Sequence, residues 1–139
     1  MEQLPFVDEH VQRIDAPAGA VWTALLRVLH RQMGGSARLA RVVACDPAQG
    51  TAEFTGRPGE AVPGFRVAEA EPGRRMVLRG RHRFAEYTLT FVLEGGALRA
   101  RTHAAFPGIH GWLYRAAVIG SGGHRIVTRR LLRLIARET

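Results

Sequence analysis

The stretch that decides the fold is VQRIDAPAGAVWTAL, residues 11–25, where a strand pattern changes into a helix pattern. We predict a first strand over Phe6–Ile14, followed by a helix over DAPAGAVWTALLRVLHRQ, residues 15–32. Pro17 suits the first turn of that helix, because its missing N–H has no intrahelical partner there. Apolar residues then recur at helical spacing, at Val21, Leu25, Val28 and Leu29.

Short strand patterns separated by turn residues follow this helix. The predicted strands are ARLARVVAC (37–45), TAEFTG (51–56), FRVAEAE (65–71), RRMVLRGRHRF (74–84), AEYTLTFVLE (85–94) and ALRARTHAAF (97–106). Gly95 and Gly96 lie between the last two and predict a hairpin. A second helix pattern runs from Ile109 to Arg137. This order predicts an α+β fold in which an antiparallel sheet of about seven strands is covered on one face.

Three segments, taken in order, resemble the START-like superfamily, also called SRPBCC or Bet v 1-like. That family often begins with a strand, then Ile-x-Ala-Pro, then Val-Trp on the first helix. The matching positions here are Ile14, Ala16, Pro17, Val21 and Trp22. FRVAEAEPGRRMVLRG (65–80) is similar to the family's mid-sheet hairpin, and the terminal helix completes the order.

The resemblance implies a single domain over residues 1–139 with a helix-grip fold. In that fold a curved antiparallel sheet wraps around a long C-terminal helix and leaves a cavity between them. Members bind or transform apolar molecules, so the resemblance implies binding of a hydrophobic small molecule such as a lipid or polyketide. The family shares no universal catalytic motif, and no catalytic residue is carried over. An enzyme of the polyketide cyclase/dehydratase type is the alternative, with His82 and Tyr87, or Asp8 and His10, transferring protons.

Alternation along the strands separates an apolar inward face from an outward face rich in arginine. His82, Tyr87 and Thr102 are the polar residues of the inward face. Each either finds a partner within the protein or orients the polar end of a ligand. The predicted ligand-binding residues are His82, Tyr87, Phe91, Thr102, Trp112, Ala116, Ile119, Gly120 and Gly123.

Three glycines interrupt the terminal helix pattern, in VIGSGGHRIV, residues 118–127. Glycine destabilises a helix interior by about 1 kcal/mol relative to alanine. Gly120 and Gly123 fall within the apolar stripe of the helix. Two explanations stay open: the sheet packs against bare backbone, or the missing side chains leave room for a ligand. A kink fits both, and an outright break of the helix is the third alternative.

The first strand has no cleanly apolar face. Asp8 and His10 lie two residues apart, about 6.6 Å along a strand. If they faced inward they could form an acid–base pair. We expect the outward or rim placement instead, in which both side chains are solvated.

All 20 basic residues are arginine, against 12 acidic residues, which gives a net charge of +8. The absence of lysine excludes a Schiff-base lysine and a Walker lysine. Arginines recur at a spacing of four on the terminal helix, at Arg125, Arg129, Arg133 and Arg137. This column is either a solvated face or a contact surface for acidic phospholipid, as in a basic adaptor for anionic surfaces.

The remaining sequence features narrow the function classes. The histidines and the single Cys45 show no metal-ligand spacing, so we expect no metal and no cofactor. Cys45 is predicted to be a small buried thiol. No nucleic-acid motif is present, and aromatic residues make up only 7%. The sequence shows no signal peptide and no apolar run of 18 residues, so we expect a cytoplasmic protein. We expect it to be a monomer or a homodimer.

Overall fold

The computed structural model describes residues 4–34, 45–82, 85–106, 108–117 and 122–139. Its elements, in chain order, are β1 (Phe6–Arg13), α1 (Ala18–Gly34), β2 (Ala61–Val62), β3 (Phe65–Glu71), β4 (Arg75–His82), β5 (Ala85–Glu94), β6 (Ala97–Ala105), α2 (Gly108–Arg115) and α3 (Gly123–Glu138). The α+β helix-grip prediction is confirmed: a curved antiparallel sheet carries its helices on one face.

The described sheet has six strands in the order β1-β6-β5-β4-β3-β2. Consecutive strands from β2 to β6 are neighbours, whereas β1 crosses to the far edge and pairs with β6. The β5–β6 turn is made by Gly95 and Gly96, with φ angles of 58° and 75°. Both angles fall in the left-handed region that favours glycine, as the predicted hairpin requires.

One strand prediction differs from the structure, and another falls almost wholly outside the described residues. Residues 51–56 form a loop instead of a strand. The Glu60 carboxylate holds this loop, accepting hydrogen bonds from the Thr55 amide at 2.6 Å and the Thr55 hydroxyl at 2.5 Å. Gly56 adds a left-handed φ of 82°, which does not fit a strand. The predicted strand over 37–45 lies outside the described residues except for Cys45, which belongs to no element.

The predicted single helix from Ile109 to Arg137 is wrong. Helix α2 ends at Arg115, and α3 begins at Gly123 after a residue in left-handed conformation, Gly122 with φ 80°. A left-handed residue cannot continue an α-helix, and glycine adopts this conformation without steric penalty. The break, the third alternative for the glycine-rich stretch, is therefore the one observed.

The core lies between the inner face of the sheet and helices α1 and α3. Helix α1 contributes the repeat predicted from sequence, with Leu25, Val28 and Leu29 fully buried. Helix α3 contributes Leu131, Leu132 and Ile135. The inner-face residues that they cover form what we call the packed end of the sheet: Met76, Leu78, Leu89, Phe91 and Leu98.

The outer face of the sheet carries the expected arginines. Arg99 and Arg101 on β6 both bind the Glu9 carboxylate on β1, at 2.8 and 2.6 Å. Towards the other edge of the sheet, Arg75 on β4 binds Glu69 on β3 at 2.8 Å. These arginines therefore join neighbouring strands on the face away from the core.

Candidate functional site

The inner face of the sheet changes character beyond the packed end, where aliphatic residues give way to aromatic ones. The His82 ring lies 4.7 Å from the Tyr114 ring and 5.5 Å from the Tyr87 ring, measured between centroids. Phe65 lies 5.1 Å from Tyr87, and Phe106 lies 6.2 Å from Tyr114. Several of these pairs meet edge to face, the arrangement that ring quadrupoles favour. We call this cluster of five residues the aromatic end.

Three strands and one helix position the aromatic end. His82 is the last residue of β4, and Tyr87 on β5 pairs with Gly80 in the strand register. Gly80 is required there, because an added Cβ would lie 2.7 Å from the Tyr87 ring and would also strike the Gly64 carbonyl oxygen. Helix α2 brings Tyr114 over the sheet to contact His82.

Loop residues hold the Tyr87 hydroxyl in place. It donates a hydrogen bond to the Gly64 carbonyl oxygen at 2.7 Å, and it also contacts the Cys45 thiol. The Gly64 amide in turn donates to the Pro47 carbonyl at 2.7 Å. Residues before β2 and the β2–β3 turn thus fix the orientation of a tyrosine on β5.

Burial keeps the groups of the aromatic end uncharged. It raises the pKa of Tyr87 far above its ordinary value of 10, with the Cys45 thiol adding to the effect. Burial likewise raises the pKa of Tyr114 and of the Cys45 thiol. Burial lowers the pKa of His82 below 6.5, so its imidazole is neutral at pH 7. The site therefore offers neutral hydrogen-bonding groups on aromatic surfaces.

A second polar group, the Asp8 cluster, lies on the inner face of β1 and consists of Asp8, His10, Thr102 and His124. The Asp8 carboxylate lies between two imidazoles, 3.1 Å from His10 Nε2 and 3.3 Å from His124 Nε2. His124 Nε2 is also 3.1 Å from the Thr102 hydroxyl. A carboxylate only accepts hydrogen bonds, so an imidazole tautomer that carries its proton on Nε2 would donate to Asp8 in this arrangement.

The Asp8 cluster corrects the expected placement of Asp8 and His10. Asp8 pairs in register with Thr102, and His10 with Ala100, both on the inner face. The pair lies at the rim of the sheet, because β1 is an edge strand, but it faces α3 rather than solvent. Of the two expected placements, the outward, solvated one was therefore wrong, and the rim placement is the one observed.

The predicted ligand-binding residues do not all come together. His82 and Tyr87 meet at the aromatic end, and Thr102 is buried within the Asp8 cluster. Phe91 belongs to the packed end and is fully covered by protein, whereas Trp112 is 65% exposed on the outside of α2. Ala116 is exposed, and Gly123 is the first residue of α3. Ile119 and Gly120 lie outside the described residues.

Sequence reasoning missed Tyr114 in the aromatic end, His124 in the Asp8 cluster and the contact of Cys45 with Tyr87. Tyr114 lies on the opposite side of α2 from the apolar residues that defined the helix pattern. Cys45 and His124 reach the inner face through a loop and a helix start, where strand alternation gives no information. For His124, the only sequence signal is a polar residue directly after the glycines.

Two further observations bear on the class of site. Within the described ranges, no group of three or more histidine, cysteine, aspartate or glutamate side chains is arranged to hold a metal ion. None of the helices in the described part of the chain has the length and apolarity needed to span a bilayer.

Solved structures with the same fold are known. Protein CV1439 from Chromobacterium violaceum is 17% identical, with 94% of each chain covered and a TM-score of 0.57. Protein MLL2253 from Mesorhizobium loti is 14% identical, with 94% of each chain covered and a TM-score of 0.57. DynU16, a putative protein in the dynemicin biosynthetic locus, is 19% identical over 90% of this chain and 45% of DynU16, with a TM-score of 0.50. Neither a protein-family model nor a curated protein matches the chain.

Proposed function

We propose that this protein is a START-like domain that binds a small, mainly apolar molecule against the aromatic end of its sheet. The observation that carries the proposal is the change along the inner face, from aliphatic core to neutral aromatic groups under α2. Binding sites for small molecules combine apolar surface with a few placed polar groups. Here the apolar surface is aromatic, and His82, Tyr87 and Tyr114 supply the polar atoms.

Two further points support this proposal. The neutral state of the aromatic end favours an uncharged ligand, because an ion placed there would lose its hydration without gaining an opposite charge. The sequence resemblance to the START-like superfamily points to the same class of ligand. DynU16, which shares the fold, is a putative protein in the dynemicin biosynthetic locus.

A neutral fluorescent probe, N-phenyl-1-naphthylamine, tests the proposal. We expect saturable binding of one probe molecule per chain. Replacing Ala104, the buried inner-face neighbour of Tyr87 on β6, by phenylalanine fills the space beside the aromatic end. The Ala104→Phe variant should weaken binding at least about tenfold, which corresponds to ~1.4 kcal/mol.

Two controls separate this site from other apolar surface. Thr88→Phe adds the same bulk on the outer face of the adjacent strand, and Trp112→Ser removes an exposed ring from α2. Both should bind the probe as the unmodified protein does. Equal weakening in Thr88→Phe, or loss of binding in Trp112→Ser, would place the probe elsewhere and contradict the proposal.

Proton-transfer catalysis on the bound molecule is the second candidate function, and the Asp8 cluster favours it. An imidazole oriented by a carboxylate is a common general base. His124 has this arrangement with Asp8 and a buried hydroxyl at Thr102. Small molecules extracted from the purified protein should change in chromatographic retention when incubated with fresh protein, with loss of the mass of one water if the reaction is a dehydration. The Asp8→Asn variant should bind them without converting them, and equal conversion by that variant would exclude this role.

A further inference from the structure

Helix α2 turns an apolar stripe towards solvent. Ile109, Trp112 and Leu113 are 72%, 65% and 54% exposed. Their spacing of three and four places them on one side of the helix, which we call the α2 stripe. The other side of the helix carries Tyr114, which contacts His82. A surface helix normally buries its apolar side, whereas the described residues leave this stripe uncovered.

Exposed arginines that pair with no carboxylate indicate that the molecule covering the α2 stripe is anionic. Arg115 ends α2, and its guanidinium lies 6.0 Å from the centroid of the Phe106 ring. Helix α3 adds five exposed arginines: Arg125, Arg129, Arg130, Arg133 and Arg137. Considering only the described residues, none of these six arginines lies within ion-pair distance of a carboxylate. Two exposed apolar residues of α3, Ile126 and Val127, lie among them in sequence.

We propose that α2 docks this protein onto the surface of a membrane rich in anionic phospholipid. The α2 stripe would enter the boundary between head groups and acyl chains, where tryptophan is favoured. The arginines would contact the phosphates, since basic residues near an anionic bilayer each contribute to binding. The net charge of +8 favours approach to such a surface.

The arginines also argue against a second copy of the chain as the occupant of the α2 stripe. Two copies that paired through α2 would bring two Arg115 side chains and two net charges of +8 together, and like charges oppose such a contact. This proposal does not depend on ligand binding at the aromatic end, because it concerns the opposite side of α2.

Fluorescence of the two tryptophans provides the first test. Trp22 is buried at 7% exposure, so Trp22→Phe leaves Trp112 as the reporter of the α2 stripe. With vesicles containing phosphatidylglycerol, emission should shift to shorter wavelength, and brominated acyl chains should quench it. The unmodified protein should also sediment with these vesicles, which keeps the test valid if Trp22→Phe fails to fold. Absence of sedimentation would overturn the proposal.

A matched pair of variants locates the docking surface. Ile109→Ser combined with Leu113→Ser should lower partition into phosphatidylglycerol vesicles about tenfold or more, because two apolar side chains no longer enter the bilayer. Phe6→Ser is the control, since Phe6 on β1 is 61% exposed and its ring meets His103 edge to face on the outer face of the sheet, away from the helices. Equal losses in the double variant and the control would overturn the proposal.

Salt and lipid composition test the electrostatic part. Binding should weaken as sodium chloride screens the arginines, and vesicles of phosphatidylcholine alone should bind at least about tenfold less. Equal, salt-independent binding to both vesicle types would overturn the requirement for anionic lipid. A dimer that the Ile109/Leu113 double serine variant dissociates, without any vesicle binding, would make a second copy the occupant and overturn the proposal.

Discussion

The two ends of the inner face use the same strands for different purposes. At the packed end, Phe91 and its aliphatic neighbours are buried completely by α1 and α3. At the aromatic end, four residues earlier on the same strand, Tyr87 is half-buried and hydrogen-bonded to a loop. The packed end is close-packed in the manner of a protein interior, whereas the aromatic end keeps polar atoms accessible. One strand thus stabilises the domain and also carries part of the proposed binding surface.

The difference in packing between the two ends predicts which substitutions the fold tolerates at each. Side chains at the packed end contact others on every side, so any loss of volume leaves a void. Side chains at the aromatic end are joined by ring contacts and hydrogen bonds that depend on orientation. We therefore expect truncation to be most damaging at the packed end, and addition of bulk to be most informative at the aromatic end.

Phe91→Ala should have the largest effect on stability. The ring is fully buried at the packed end, and its removal leaves a cavity under α1 and α3. The free energy of unfolding should fall by about 3–5 kcal/mol, measured by urea denaturation. A fall below ~1 kcal/mol would mean that the two ends do not differ in packing as described.

Gly80→Ala should have an intermediate effect and act at the aromatic end. The added methyl group would strike the Gly64 carbonyl and the Tyr87 ring, which forces one of them to move. We expect the free energy of unfolding to fall by about 1–3 kcal/mol, with a change in tyrosine near-ultraviolet circular dichroism.

Gly19→Ala is the control for that substitution. Gly19 lies in the first turn of α1 with nothing within 4 Å of an added Cβ. Alanine should stabilise the helix by up to about 1 kcal/mol. If both variants were destabilised alike, the close approach of Gly80 to Gly64 would not be the cause.

A pH dependence centred on His82 should be the smallest effect. Because burial lowers the folded-state pKa of His82 below 6.5, the unfolded chain binds this proton more readily. The contribution to stability is complete above about pH 6.5 and is lost as pH falls towards the folded-state pKa. The melting temperature of His82→Gln should therefore decrease less than that of the unmodified protein between about pH 7 and pH 5.

A histidine on the outer face distinguishes this effect from general acid sensitivity. His103 on β6 pairs in register with Thr88 and stacks against Phe6, away from the aromatic end. His103→Gln should retain the pH dependence of the unmodified protein. If it abolishes that dependence as His82→Gln does, burial at the aromatic end is not the source.

The strands and faces were predictable because alternation records which side chains meet the core. The pattern in β6, from Leu98 to Ala104, assigns each inner residue correctly. The same reasoning failed for Asp8 and His10, because an edge strand packed against a helix start has no continuous apolar face. It also failed at residues 51–56, where a single carboxylate, that of Glu60, satisfies the backbone locally.

The candidate site was predictable only in part, for a related reason. His82 and Tyr87 lie on strands, so parity placed them on the inner face. The positions of Tyr114 and His124 depend on how the chain turns at Gly122, before α3 begins. A glycine-rich stretch fits several backbone paths, so the sequence pattern does not fix these positions. The contacts of these two side chains are determined by tertiary packing rather than by the local sequence pattern.

The pairing of β1 with β6 has a consequence for how the chain acquires its shape. The Asp8 and His124 side chains that meet in the native state are 116 residues apart. During synthesis β1 emerges early and has no neighbour until β6 has followed it, so its backbone groups stay hydrated for most of translation. Contacts of such long sequence separation slow folding, because much chain entropy is lost before they form. We therefore expect the Asp8 cluster to assemble late in the folding of this protein.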